Sequence, residues 1–200
     1  MSGGERSTRI RAVRLEMRTT IVVVLVALVA APRKSSRLSQ PSEYQLKAAF
    51  LLNFAKFTDW PETSFASPEA PFAICVSGKD PFGSALDDVL LNKTVAARPV
   101  VVKRLRDQAE ARLCQMVSIC SGEYEYLRGI LESLRGASAL VVGESDGFAA
   151  SGGIVEFTLE QNHVRFTINT DAAEQAGWKF RPKLLSLAKI VRTAPNTGKD

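Results

Sequence analysis

Histidine is almost missing from this 200-residue chain: His163 is the only one. It falls beside a predicted hairpin turn, where a histidine faces solvent, and no Ser–His–Asp or Cys–His set can be argued from that position. Three cysteines and one histidine show no metal-ligand spacing. Carboxylates are scattered, with no paired motif. Glu123 to Tyr126 ("EYEY") sits early in a predicted helix, where acids simply favour the helix dipole. The glycine signatures of nucleotide sites are lacking as well. The turn "SGKDPFG" carries neither a dinucleotide fingerprint nor a phosphate loop. There is no internal repeat and no low-complexity tract. These absences argue against an enzyme and leave no residues assigned to a metal or a cofactor.

Acidic charge is only slightly outweighed, and unevenly. The formal net charge is +5. Residues 1–31 hold five arginines and two glutamates, so the leader accounts for +3 of it. The remaining chain is close to neutral and offers no concentrated footprint for a nucleic acid. Long apolar runs are missing too. The longest, Ile21 to Ala31, would span roughly 16 Å as a helix, about half a bilayer core. With its basic start, and with small residues at Val29 and Ala31, it reads as a signal peptide over residues 1–31. Met17 is a plausible true start. Export to the periplasm is therefore expected. Residues 32–42, "PRKSSRLSQPS", read as a linker, and 194–200 as a tail.

What remains suits one domain, residues 43–193. "EYQLKAAFLLNFAKFTDWP" repeats Leu46, Phe50, Phe54 and Phe57 at helical spacing, and Pro61 ends it. "PFAICVSG" is a nearly continuous apolar strand, as expected at the centre of a sheet covered on both faces. Asp80 is expected to cap the next helix, with Pro81 in its first turn and Leu86, Val89 and Leu90 inward. "PVVVKRL", "LCQMVSI" and "SALVVGES" read as strands. "EYEYLRGILESL" reads as a helix burying Tyr126, Leu127, Ile130, Leu131 and Leu134. "GGIVEFTLEQNHVRFTIN" alternates like a hairpin. "RPKLLSLAKIV" reads as a closing helix with Leu184, Leu185, Leu187, Ala188 and Val191 on its inner side. The pattern predicts an α/β fold: a single Rossmann-like domain, with a mixed sheet, helices on both faces, and a C-terminal β-hairpin plus helix.

Few residues carry chemistry. In an oxidising compartment, two of Cys75, Cys114 and Cys120 are expected to pair, and three single pairings are open. Linking Cys75 to Cys114 would close a loop of about 40 residues, worth roughly 4 kcal/mol in chain entropy. Gly78 opens a helix corner of the kind that holds an anion, although Asp80 occupies that place. Gly152-Gly153 permits unusual backbone conformations, either as a strand-entry turn or as a ligand-contacting loop. A small-ligand sensor, the alternative to a regulator, would line its site with Gly78, Asp80, Gly152 and Gly153.

Taken in order, "EYQLKAAFLLNFAKFTDWP", "FAICVSGKDPFG", the strand led by Cys114, "GGIVEFTLEQNHVRFTIN" and "LLSLAKIV" resemble the YfiR-like family over residues 43–193. The resemblance implies a periplasmic Rossmann-like protein, often a homodimer. It implies a non-enzymatic regulator that represses an inner-membrane diguanylate cyclase by binding its periplasmic part. An outer-membrane lipoprotein that relieves the repression is a further implied partner. It also selects the disulfide Cys75–Cys114 and leaves Cys120 a free thiol. The family's second, C-terminal disulfide has no cysteines here. Arg181-Pro182-Lys183-Leu184-Leu185 replaces a Ser-Ser-Lys-Leu-Leu pattern, so partner specificity is expected to differ if that segment makes contact.

Overall fold

The computed structural model describes residues 41–120, 129, 134 and 137–192. The leader with Met17, most of the linker and the tail lie outside these residues. So does most of the helix expected at "EYEYLRGILESL", including Tyr126, Leu127, Ile130 and Leu131; Leu134 is described, and is buried.

Helix α1 (Glu43–Phe57) begins where the linker was expected to end. The Ser42 hydroxyl accepts from the Gln45 backbone N–H, and the Gln45 side chain accepts from the Ser42 N–H. This reciprocal box satisfies donors that a helix start leaves open. Its phenylalanines then meet the hairpin. Phe54 lies 4.9 Å from Phe166 and 5.5 Å from Phe157, centroid to centroid. Beyond the helix, Trp60 packs edge-on against Phe72 and Trp178, while its indole N–H donates to the Ala55 carbonyl.

Eight strands form one sheet in the order β2-β3-β1-β4-β5-β6-β7-β8. They are β1 (Phe72–Ser77), β2 (Thr94–Val95), β3 (Arg98–Arg104), β4 (Met116–Ile119), β5 (Leu140–Gly143), β6 (Val155–Glu160), β7 (His163–Asn169) and β8 (Lys189–Val191). Strand β1 pairs in parallel with β3 on one side and β4 on the other. The chain thus leaves β1 in one direction and returns to its opposite flank. The β6–β7 hairpin is antiparallel and turns on Gln161 and Asn162, both at positive φ, as a tight primed turn requires.

Alternation along β1 divides the core. Phe72, Ile74 and Val76 face α1 and α2 (Ser84–Leu90), whereas Ala73 and Cys75 face the opposite layer. There the short helical segment Gln108–Leu113, Leu134 and Phe148 provide the cover. The fold is the expected mixed α/β sheet, with one departure at its end. The closing helix stops after α4 (Pro182–Leu185), and the chain becomes β8, parallel to β7. Leu187, expected inside, is 64% exposed. Helical spacing read this segment wrongly because strand β7 had an edge to be paired, and Ile190-Val191 suits a strand. Short helix α3 (Thr170–Gln175) follows β7 and is capped by Asn169, whose side chain accepts from the Ala172 N–H.

Phe54→Ala should destabilise the domain by about 3–5 kcal/mol, because it empties the fully buried contact between α1 and the hairpin. Urea unfolding measures this; a loss below about 1 kcal/mol would show that α1 is not fastened through Phe54.

Candidate functional site

The carboxyl ends of β1, β4 and β5 meet where the chain reverses its winding around β1, the place where open α/β sheets gather their functional groups. The corner after β1 is built from Gly78, whose φ of +92° favours glycine, and Asp80. Asp80 does not cap α2. Its Oδ1 accepts from the Phe82 N–H at 2.7 Å, closing a local turn, and the helix starts only at Ser84 behind Gly83. Its Oδ2 accepts from Arg104 Nε at 2.8 Å. Arg104 also grips the Asp87 carboxylate and donates to the Gly83 carbonyl. This hydrogen bonding holds the Asp87 carboxyl below the usual carboxylate range. The corner is tied to β3 through one guanidinium, and Asp80 is committed to that tie.

Gly152 and Gly153 find different partners. Gly153 donates to the Phe148 carbonyl, and a Cβ added at Gly153 would run into the Phe148 ring. The glycine is thus explained by close packing. The loop before it is fixed by Glu156, a buried residue whose two oxygens accept from the Gly147 and Ala149 N–H groups. Asn169 Nδ2 donates to the Ala149 carbonyl at 2.7 Å. Sequence reading passed over Glu156; the signal was a carboxylate between apolar Val155 and Phe157.

Sequence reading also missed Lys47 and Glu144. Lys47 projects from the apolar helix α1, its side chain only 7% exposed, and bridges Glu43 at 2.7 Å and Glu144 at 3.1 Å. Glu144 follows β5 directly; its side chain is 5% exposed, and its Oε1 has no hydrogen-bond partner among the described residues. Burial raises the Glu144 carboxyl above the usual carboxylate range, although Lys47 pulls it back. Burial alone would lower the Lys47 ammonium, but its bonds to Glu43 and Glu144 outweigh that and raise it.

Cys75 and Cys114 are joined, with Cα atoms 6.0 Å apart across 39 residues of chain. Cys114 sits just ahead of β4 rather than within it. Cys120 is a buried free thiol, pushed up to about 12 by burial and the nearby Glu144 charge. Such a thiol is a poor nucleophile. His163 is exposed, with Nδ1 2.9 Å from the Gln161 carbonyl. Among the described residues, no group of three His, Cys, Asp or Glu side chains is arranged for a metal, and no helix is long and apolar enough to cross a membrane.

Together these features define a disulfide-tied mixed α/β domain whose polar groups are spent mainly on holding its own loops. A family model described as YfiR/HmsC-like matches residues 44–189, and the chain belongs to that family. Among solved structures it is similar to a conserved domain protein from Vibrio cholerae, with a TM-score of 0.53 at 13% identity, over 78% of this chain and 62% of that one. A weaker likeness, with a TM-score of 0.46 at 8% identity, is to the ABC domain in complex with L-Trp from Streptococcus pneumonia, over 74% of this chain and 60% of that one. The chain thus spans less than two thirds of either structure.

Two outcomes follow. Without denaturant, the oxidised protein should show no thiol to a small reagent, and one, Cys120, once unfolded; Cys75→Ser should lower Tm by several degrees. Three free thiols in oxidised, unfolded protein would contradict the pairing. For Glu144, the folded carboxyl holds its proton to higher pH than the ordinary 4.5 of an unfolded one. Its contribution to stability is therefore complete below that value and declines as pH rises through the folded pKa. Wild type should gain stability relative to Glu144→Gln as pH falls from 7 towards 4.5, measured by urea unfolding. A relative loss over that range would reverse the assignment.

Proposed function

We propose that this protein is an exported, non-enzymatic regulator that binds the periplasmic part of an inner-membrane signalling protein. The target is a diguanylate cyclase, which it holds inactive. The observation that carries this reading is the family match, which runs from the first turn of α1 into β8. The Cys75–Cys114 bond supports it, since such bonds persist in oxidising compartments such as the periplasm. The arrangement of the site agrees. Asp80, Glu156 and Lys47 are engaged in structural bonds, which suits a rigid binding body better than a catalytic centre. An outer-membrane lipoprotein that competes for the regulator belongs to the same reading, as does a homodimer.

Deleting the gene should raise cellular cyclic di-GMP, and affinity capture from solubilised membranes should retrieve a membrane sensor with a periplasmic domain. Unchanged cyclic di-GMP together with no captured sensor would sink the reading.

A further inference from the structure

Strand β3 is paired on one side along most of its length and on the other only at its start. Strand β2 covers Arg98 and Pro99, and Lys93 O accepts from the Val100 N–H. That bond points the Val100 backbone away from β1. At the far end the Leu105 N–H donates to Val76 O, so the Leu105 backbone points towards β1. Because orientation alternates along a strand, the backbone groups of Val102 and Arg104 point outward, past the end of β2. Among the described residues nothing bonds them there.

A groove of about 420 Å³ lies beside this open edge, lined by Lys103, Arg104, Leu105, Arg106, Glu110 and Leu113. Its cations differ in availability. Arg104 is consumed by Asp80 and Asp87. Glu110 is turned to the Arg106 backbone N–H. The side chains of Lys103 and Arg106 are exposed and form no ion pair with any described residue. Leu113 is 68% exposed next to them, and Leu105 is half-buried. Lysine on a sheet edge also discourages unwanted pairing. That function does not explain a groove in which Leu105 and Leu113 stand among the charges.

We infer that the β3 edge, from Val102 to Arg106, receives an extended acidic segment of a partner protein as an added strand. The partner's backbone pairs with the Val102 and Arg104 groups, its carboxylates meet Lys103 and Arg106, and an apolar side chain enters the groove between Leu105 and Leu113. Main-chain bonds provide the affinity and the cations set the choice of sequence. The disulfide keeps this platform flat and fixed: Lys103 lies opposite Cys75 in the β1–β3 register, and Cys114 follows Leu113 directly. The inference deepens the regulator reading by naming the surface on which the partner is held.

The test has two arms. In the first, isotope-labelled protein is titrated with a synthetic peptide alternating Glu with Val, ~6–8 residues long, as an ordinary strand is. Amide shifts should concentrate at Val102 to Arg106, and Lys103→Glu with Arg106→Glu should weaken binding about tenfold. Val102→Pro should also abolish binding, since it removes an outward N–H that the β1 pairing does not use. The double charge reversal, confined to exposed side chains, keeps the test valid if the proline variant fails to fold. Shifts elsewhere, affinity unchanged by charge reversal, or equal shifts from inorganic phosphate would overturn the inference. So would concentration-dependent dimerisation through this edge. In the second arm, the charge-reversed protein is expressed at wild-type level in cells, where it should raise cyclic di-GMP as deletion does. If deletion raises it and the variant does not, the surface is wrong and the regulator reading stands. If deletion changes nothing, the regulator reading falls and the peptide arm alone decides the surface.

Discussion

Strand β1 is buried along its whole length, so each of its faces must be covered by something else. That constraint organises the domain. One face, through Phe72, Ile74 and Val76, demands a large apolar partner, and α1 and α2 meet it with Leu51, Phe54, Leu86 and Leu90. The other presents Ala73 and Cys75, small side chains that draw the opposite layer close. Close approach brings Cys114 within bonding distance of Cys75 and lets Gln115 brace the neighbouring loop. Gln115 accepts from the Ala73 N–H and donates to the Ser64 carbonyl. The bond is thus a consequence of how thin that side of the core is, as well as a contributor of roughly 4 kcal/mol by loop entropy.

Burial at the carboxyl end of the sheet follows a different economy. Lys47 and Glu144 are taken from water almost completely, and the attraction of such a pair roughly cancels its desolvation. The pair is therefore weak evidence for stability. Its effect is on position, because a buried charge with one partner removed costs about 3–5 kcal/mol. The start of α1 cannot slide away from the end of β5 without exposing that cost. Tyr44 adds to the same clamp, with its hydroxyl 3.5 Å from Glu144 and its ring edge-on to Phe82. A disulfide on one layer and an ion pair on the other leave the centre of the sheet little freedom.

Periodicity made the central fold legible. Uninterrupted apolar β1, the Phe50–Phe54 stripe and the alternating hairpin each announce their burial, and packing obeyed them. Misreadings occurred where a local rule met a long-range demand. Asp80 looked like a cap two residues into a corner, but Arg104, 24 positions away, claims its carboxylate. Gly152-Gly153 left a strand-entry turn and a ligand loop both open, and only the Phe148 ring explains Gly153. The last segment has helical spacing, yet an open β7 edge recruited it as a strand. Lys47, Glu144 and Glu156 went unnoticed because charges within apolar segments acquire meaning only through partners distant in sequence.

The two edges of the sheet are not equivalent, and this bears on where partners can be held. At one end β8 is short, and it follows α4, which Arg181 precedes and Pro182 opens. At the other, β3 runs well past the two-residue β2 and leaves outward backbone groups beside free cations. The first edge offers a strand of three residues, two of them exposed; the second has a longer open ladder on a face locked to Cys75 and Cys114. A partner that requires a rigid, preformed strand pays less ordering cost at the second. Substitutions around Arg181 can then alter contacts at one edge while the pairing surface on β3 is preserved, because five strands lie between β3 and β8.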